Sequence, residues 1–138
     1  MTTTEARFPV QITQGVPVVE SPEEIDITNA DRLRAALLHA ETCPGAAVVV
    51  DMTRTRFCDS AGLHALLGAH KRARAEGRQV RLAVTGAQVR RILALTALDR
   101  LIPVCTSLDQ ALAHPPAAPR PAAREQGRQQ QARRPLDR

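Results

Sequence analysis

The stretch Ala46-Ala47-Val48-Val49-Val50-Asp51 carries five apolar side chains without a break, and it constrains the fold more than any other part of the chain. A strand on a sheet surface alternates apolar with polar residues, whereas a strand covered on both faces is apolar throughout. Ala46 to Asp51 is therefore predicted as a central strand covered by helices. The flanking patterns agree. Phe8 to Gln14 alternates as a half-buried strand does, Gly15 turns the chain, and Val16 to Glu20 returns it. That hairpin belongs at a sheet edge, because Pro9 and Pro17 donate no backbone hydrogen bond.

Helical spacing appears in three places and a shorter fourth. From a cap at Thr28 or Asn29, the residues Ala30, Leu33, Leu37 and Ala40 repeat until Pro44-Gly45 ends the run. Leu63, Leu66, Leu67 and His70 mark a helix that begins at Ser60 and closes with Lys71, Arg72, Arg74 and then Gly77. Gln79 to Val84 is the next strand, and Ala87 to Leu95 the next helix, with Val89, Ile92 and Leu93 inward. A short strand is expected at Leu101 to Val104, and Ser107 is expected to cap a last helix through Leu112. Strands alternating with helices make an α/β domain: a mixed, largely parallel sheet of four to five strands with an N-terminal hairpin and about four helices.

With 138 residues the chain supports one domain, expected over 8–114, with a flexible N-terminus over 1–7. Half of the ten prolines fall after His114, where large apolar residues nearly vanish, so residues 115–138 are expected to form a disordered tail. The formal charge of +5 is concentrated there: six Arg against Glu125 and Asp137 give the tail +4 and leave the rest near neutral. An electrostatic tether to nucleic acid or an acidic surface is the alternative to a merely solvated tail. For the folded part, near neutrality and the lack of a recognition-helix pattern argue against direct DNA binding despite Arg90-Arg91. Phe8 and Phe57 are the only aromatics, which disfavours base stacking. Cys43, Cys58 and Cys105 show no CxxC spacing and suit a reducing cytoplasm, with Cys58 read as a packing residue beside Phe57. Neither a membrane-length apolar run nor a secretory leader pattern is present.

The chemistry is expected at Asp59-Ser60-Ala61-Gly62, between the central strand and the second helix. Taken alone, Asp59-Ser60 is an ordinary helix cap. A phosphate on Ser60 would add about −1.5 to −2 charge over the N–H groups of the helix start, with Asp59 repelling it. A nucleophilic role for Ser60 with His39, His64, His70 or His114 as base is weak, since no G-x-S-x-G elbow exists. His64 and His70 do not share a helix face, so no metal site is expected. No phosphate-binding glycine loop surrounds Gly86, and no cofactor is expected.

Val48-Val49-Val50-Asp51-Met52, Phe57-Cys58-Asp59-Ser60-Ala61-Gly62-Leu63 and Leu66-Leu67 together resemble the signature of STAS domains, the anti-sigma factor antagonist family. Glu24-Ile25-Asp26-Ile27-Thr28-Asn29-Ala30, running into Leu33 and Leu37, resembles the family's second functional loop. The resemblance covers residues 8 to 113, with Glu23 where a glycine is usual and Ala61 where a second serine is common. It implies a non-enzymatic protein that binds an anti-sigma factor serine kinase while unphosphorylated and so frees a sigma factor. Phosphorylation of Ser60 would release the kinase, and a serine phosphatase would reset the switch. Asp26, Ile27, Thr28, Asp59, Ser60, Ala61 and Gly62 are the implied partner-binding residues, although Asp26 also reads as a helix-start residue and Gly62 as one avoiding a clash inside the turn. A monomer or weak dimer is expected. The alternative within the same fold is a scaffold or small-ligand-sensing subunit of a stress-signalling complex.

Overall fold

The computed structural model describes residues 8–113, so the calls on the N-terminus and the basic tail lie outside the described residues. Strands β1 (Val10–Thr13), β2 (Val16–Glu20), β4 (Ala47–Met52), β6 (Gln79–Val84) and β7 (Val104–Cys105) form one sheet in the order β1-β2-β4-β6-β7. Only β1 runs antiparallel to its neighbour. The two remaining strands, β3 (Glu24–Ile25) and β5 (Phe57–Cys58), pair with each other apart from this sheet. Helices α1 (Ala30–Glu41), α2 (Ser60–Ala75), α3 (Ala87–Leu95) and α4 (Leu108–Ala113) complete the α/β domain, with a 3-10 turn at Leu98–Arg100.

The hairpin closes through Gln14 and Gly15, whose φ angles of 53° and 79° are the pair of left-handed residues that a two-residue type I′ loop requires. Pro17 is tolerated in β2 because pairing with β4 starts at Val18, so the ladder needs no N–H from the proline. Strand β4 is central, and Val48, Val49, Val50 and Met52 are wholly buried. Its side chains divide between two cores. Val48, Val50 and Met52 join Val19, Val80, Leu82 and Val84 against Leu33 and Leu37 of α1, Leu66 of α2 and Val89 and Leu93 of α3. Val49 joins Val18, Ala83 and Cys105 against Ala111 of α4. One sheet face thus carries three helices and the other a single short one.

The last strand differs from expectation. Leu101 and Ile102 both donate their N–H to the Leu98 carbonyl, at 3.0 and 2.9 Å, and Pro103 has no N–H, so pairing starts only at Val104. Ser107 does cap α4, its hydroxyl accepting from the Gln110 N–H at 3.0 Å. Two arginines also hold the helices in ways the pattern of the sequence did not reveal. Arg81 is only 2 % exposed on β6 and donates through Nη1 to the Ala111 carbonyl at 2.9 Å, tying α4 to the sheet. Arg78 donates to the carbonyls of Glu41, the last residue of α1, and of Cys43 and Gly45 just beyond it.

Candidate functional site

The two suspect segments are joined by backbone. Glu24 pairs with Phe57 and Ile25 with Cys58 in a parallel two-stranded ladder, which leaves no trace in the sequence because two residues show no periodicity. The ladder is extended at both ends. Arg56 N–H donates to the Glu23 carbonyl at 2.7 Å, and Asp59 N–H donates to the Ile25 carbonyl at 3.0 Å. The side chains of Ile25 and Cys58 point into the core, both essentially without exposed surface. Burial, with the charge of Asp59 next to it, pushes the Cys58 thiol up to about 12, as befits a packing residue.

Helix α2 starts directly from this ladder. Asp59 is its N-cap in extended conformation, and Oδ1 accepts from the N–H of Ala61 at 2.9 Å and of Gly62 at 3.3 Å. Those two donors were expected to be free for a phosphate on Ser60; Asp59 already occupies them. Ser60, the first helical residue, is exposed, and among the described residues its hydroxyl has no hydrogen-bond partner. Ala61 beside it is half-buried. Gly62 is buried, and a Cβ there would lie 2.6 Å from both Cys58 Sγ and Ile25 Cγ2. Of the two accounts of Gly62, the avoided clash is the one the geometry supports: glycine lets α2 sit against β3 and β5.

The loop after β3 is ordered by its own polar groups. Asp26 Oδ1 accepts from the N–H and the hydroxyl of Thr28, and the Asp26 carbonyl accepts from the N–H of Asn29 and Ala30. Asn29 is the N-cap of α1, yet its side chain reaches backwards, Oδ1 accepting from Asp26 N–H at 2.9 Å and Nδ2 donating to the Glu24 carbonyl at 2.8 Å. The bonds from Thr28, side chain first, hold the Asp26 carboxyl below its ordinary range. This lattice lifts Ile27 into solvent, 78 % exposed, while Phe57 on β5 is 40 % exposed. Two large apolar side chains and a free serine hydroxyl therefore stand on one edge of the fold, where the sequence reading had placed Ile27 but not Phe57.

No histidine among the described residues hydrogen-bonds Ser60, although His64 lies one turn further along α2. His39 and His64 are exposed on α1 and α2, and His70 is buried along α2, its pKa lowered by desolvation and by Arg74 and Lys71. His114 lies outside the described residues. Among the described residues no group of His, Cys, Asp and Glu is arranged to hold a metal ion, and no helix is long and apolar enough to cross a membrane.

Known proteins place this geometry. The model of the STAS domain family matches residues 7–111. The chain belongs to the STAS domain family. The STAS domain seen here is similar to the crystal structure of an anti-sigma factor antagonist from Mycobacterium paratuberculosis, at 28 % identity and a TM-score of 0.71, covering 81 % of this chain and 96 % of that one. It is also similar to SpoIIAA, the Bacillus cell fate determinant, in its phosphorylated form, at 19 % identity and a TM-score of 0.59, covering 76 % of this chain and 96 % of that one. A sulfate transporter family protein from Wolinella succinogenes shares the fold at 24 % identity and a TM-score of 0.62, covering 75 % of this chain and 86 % of that one. Solved anti-sigma factor antagonists are therefore among the structures similar to this STAS domain, and so is a transporter family protein.

Proposed function

We propose that this STAS domain is a cytoplasmic anti-sigma factor antagonist switched by phosphorylation of Ser60. Unphosphorylated, it docks its Ser60 edge onto an anti-sigma factor serine kinase and frees the sigma factor that kinase had held. The kinase phosphorylates Ser60 and lets go, and a serine phosphatase restores the docking form. The observation that carries this reading is the placement of Ser60: an exposed, unbonded hydroxyl on the same ladder-braced edge as Ile27 and Phe57. Asp26 and Thr28 fix the shape of the neighbouring loop, Asp59 and Ala61 flank the serine, and Gly62 seats the helix beneath it.

The physics of release lies at the surface rather than in the fold. Because Asp59 already satisfies the N–H groups of Ala61 and Gly62, a phosphate on Ser60 meets a carboxylate where two of the helix-start donors would otherwise be free. Its charge of about −2 would have to be desolvated in a close interface beside Asp59. A loss of about 3 kcal/mol is enough to lower affinity more than a hundredfold.

The test is a pull-down from native cytosol with wild-type, Ser60→Ala and Ser60→Asp baits, bound proteins being identified by mass spectrometry. Recovery of an ATP-binding anti-sigma kinase by Ser60→Ala and its loss with Ser60→Asp is the expected result. Identical partners on both variant baits would leave Ser60 as an ordinary surface residue of the first helical turn and favour the scaffold or ligand-sensing reading.

A further inference from the structure

One face of the Ser60 edge accumulates positive charge that the fold does not neutralise. The loop between β4 and β5 carries Arg54 and Arg56, both exposed. The N-terminus of α3 abuts this loop: Thr85 Oγ1 donates to the Thr53 carbonyl at 2.8 Å, and a Cβ on Gly86 would lie 3.1 Å from the Thr55 carbonyl. Arg90 and Arg91, again exposed, follow just after the first turn of α3. The helix start offers nothing to balance them. Gly86 at the N-cap has no side-chain acceptor, and the first turn has no acidic residue. Cations near a helix N-terminus face the positive end of its dipole, an unfavourable placement. Among the described residues Arg54, Arg90 and Arg91 have no hydrogen-bonded or acidic partner, and Arg56 has only Glu23 at 3.9 Å, both side chains largely in water.

We propose that Arg54, Arg56, Arg90 and Arg91 form a docking surface for acidic side chains of the protein partner that binds the Ser60 edge. This rests on the reading of that edge given above and adds the charge its partner must carry. Unpaired like charges at a positive helix end contribute nothing to folding, whereas facing an acidic surface they would accelerate and orient encounter. Phe57 favours a protein over a nucleic acid as occupant. It follows Arg56 directly and is 40 % exposed, so the basic group continues into the apolar pair Phe57 and Ile27, the composition of an interface with an apolar centre and a charged rim.

The experiment measures association of the full chain with the kinase recovered by the Ser60→Ala bait, by stopped flow across a salt series. The variants are Arg54→Glu/Arg90→Glu/Arg91→Glu, the charge-preserving Arg54→Lys/Arg90→Lys/Arg91→Lys, and Lys71→Glu/Arg74→Glu as a reversal at the far end of α2. The first is expected to slow association by about tenfold or more at low salt and to flatten the salt dependence, while the other two stay within about twofold of wild type. Wild-type kinetics for the first variant, with Ser60→Asp still weak, would overturn the proposal and leave the switch standing. If no kinase is recovered the switch fails, and the patch is then tested by amide shifts of the labelled chain titrated with a synthetic peptide of Glu and Leu. Shifts across residues 54–57 and 87–91 that vanish in the Glu variant support the surface; no shifts there, or tight salt-dependent binding of the same residues to duplex DNA, overturn it.

Discussion

Replacing Gly62 by alanine tests whether the Ser60 turn is held by close packing against β3 and β5. The added methyl would stand 2.6 Å from Cys58 Sγ and from Ile25 Cγ2, two buried atoms on opposite strands of the small ladder. Ordinary carbon contacts lie at about 3.5–4.0 Å, so the helix start must retreat by about 1 Å or both side chains must leave their places. Overpacking of this kind costs about 1–3 kcal/mol, against about 1 kcal/mol gained by exchanging a helical glycine for alanine. With two contacts at 2.6 Å to buried atoms the cost falls in the upper part of that range, about 2–3 kcal/mol, and the expected net effect is a loss of about 1–2 kcal/mol. Gly68 in the same helix is the control. A Cβ there meets only Arg72 Nη1, at 3.3 Å, while the nitrogens that bind Glu41 are Nε and Nη2. Gly68→Ala should therefore stabilise by about 0.5–1 kcal/mol. The chain has no Trp or Tyr, so the assay is urea unfolding followed by far-ultraviolet circular dichroism, comparing midpoints at equal slope. A Gly62→Ala protein as stable as wild type, or one shifted in the same direction as Gly68→Ala, would refute the packing argument.

Other expectations follow from single side chains. Arg78→Met should cost about 2 kcal/mol in the same urea assay, because three carbonyls at the end of α1 lose a charged donor; Arg78→Lys should recover less than half, since one ammonium cannot span the fork. An Arg78→Met midpoint equal to wild type would show that water replaces the guanidinium without loss. His70 has a folded-state pKa below its ordinary 6.5, so on acidification the unfolded chain binds the proton first. Above that value His70 contributes no pH dependence; below it stability should fall by at most about 1.4 kcal/mol per pH unit until the folded imidazole itself protonates. His70→Gln should flatten that part of the stability profile, and an unchanged slope would count against it. Cys58 should resist iodoacetamide in the native protein at about pH 8 while the half-buried Cys43 reacts, the sites being read by peptide mass spectrometry. Comparable rates at the two thiols would show that the β3–β5 ladder opens readily.

Elements with a long period were legible in the sequence. The apolar run Ala47 to Val50 needed burial on both faces and obtained it, and Leu33 and Leu37 of α1 and Leu63 and Leu66 of α2 lie inward at the predicted spacing. What escaped was carried by geometry that leaves no periodic trace. Glu24-Ile25 and Phe57-Cys58 are too short to alternate, and each is a strand only because the other lies beside it. Nothing in the strand pattern of Gln79 to Val84 marks Arg78 and Arg81, yet their long side chains serve carbonyls 37 and 30 residues away in the sequence. Asn29 was recognisable as a helix-start residue, but the direction of its amide, back towards Glu24 and Asp26, depends on a loop shape that only the fold fixes. The cap reading and the switch reading of Asp59-Ser60 were posed as rivals. The structure divides the work between neighbours: Asp59 caps, and Ser60 is left exposed.

That division bears on how one covalent change can alter a surface and spare a fold. Had Ser60 been the cap, its modification would remove hydrogen bonds from the helix start and couple partner release to local unfolding. With Asp59 in that role, the bonds to Ala61 and Gly62 do not involve the Ser60 hydroxyl, and the ladder bond from Asp59 N–H to the Ile25 carbonyl does not either. The same ladder carries Phe57 and leads into the loop that raises Ile27, so the apolar pair and the serine are built on one hydrogen-bonded support. The burial of Gly62 completes the arrangement, because α2 approaches β3 and β5 without an intervening side chain that could act as a hinge. On the proposed reading, charge added at Ser60 is therefore expressed at the docking surface and not in the fold, on an edge whose shape is set by Asp26, Asn29, Asp59 and Gly62.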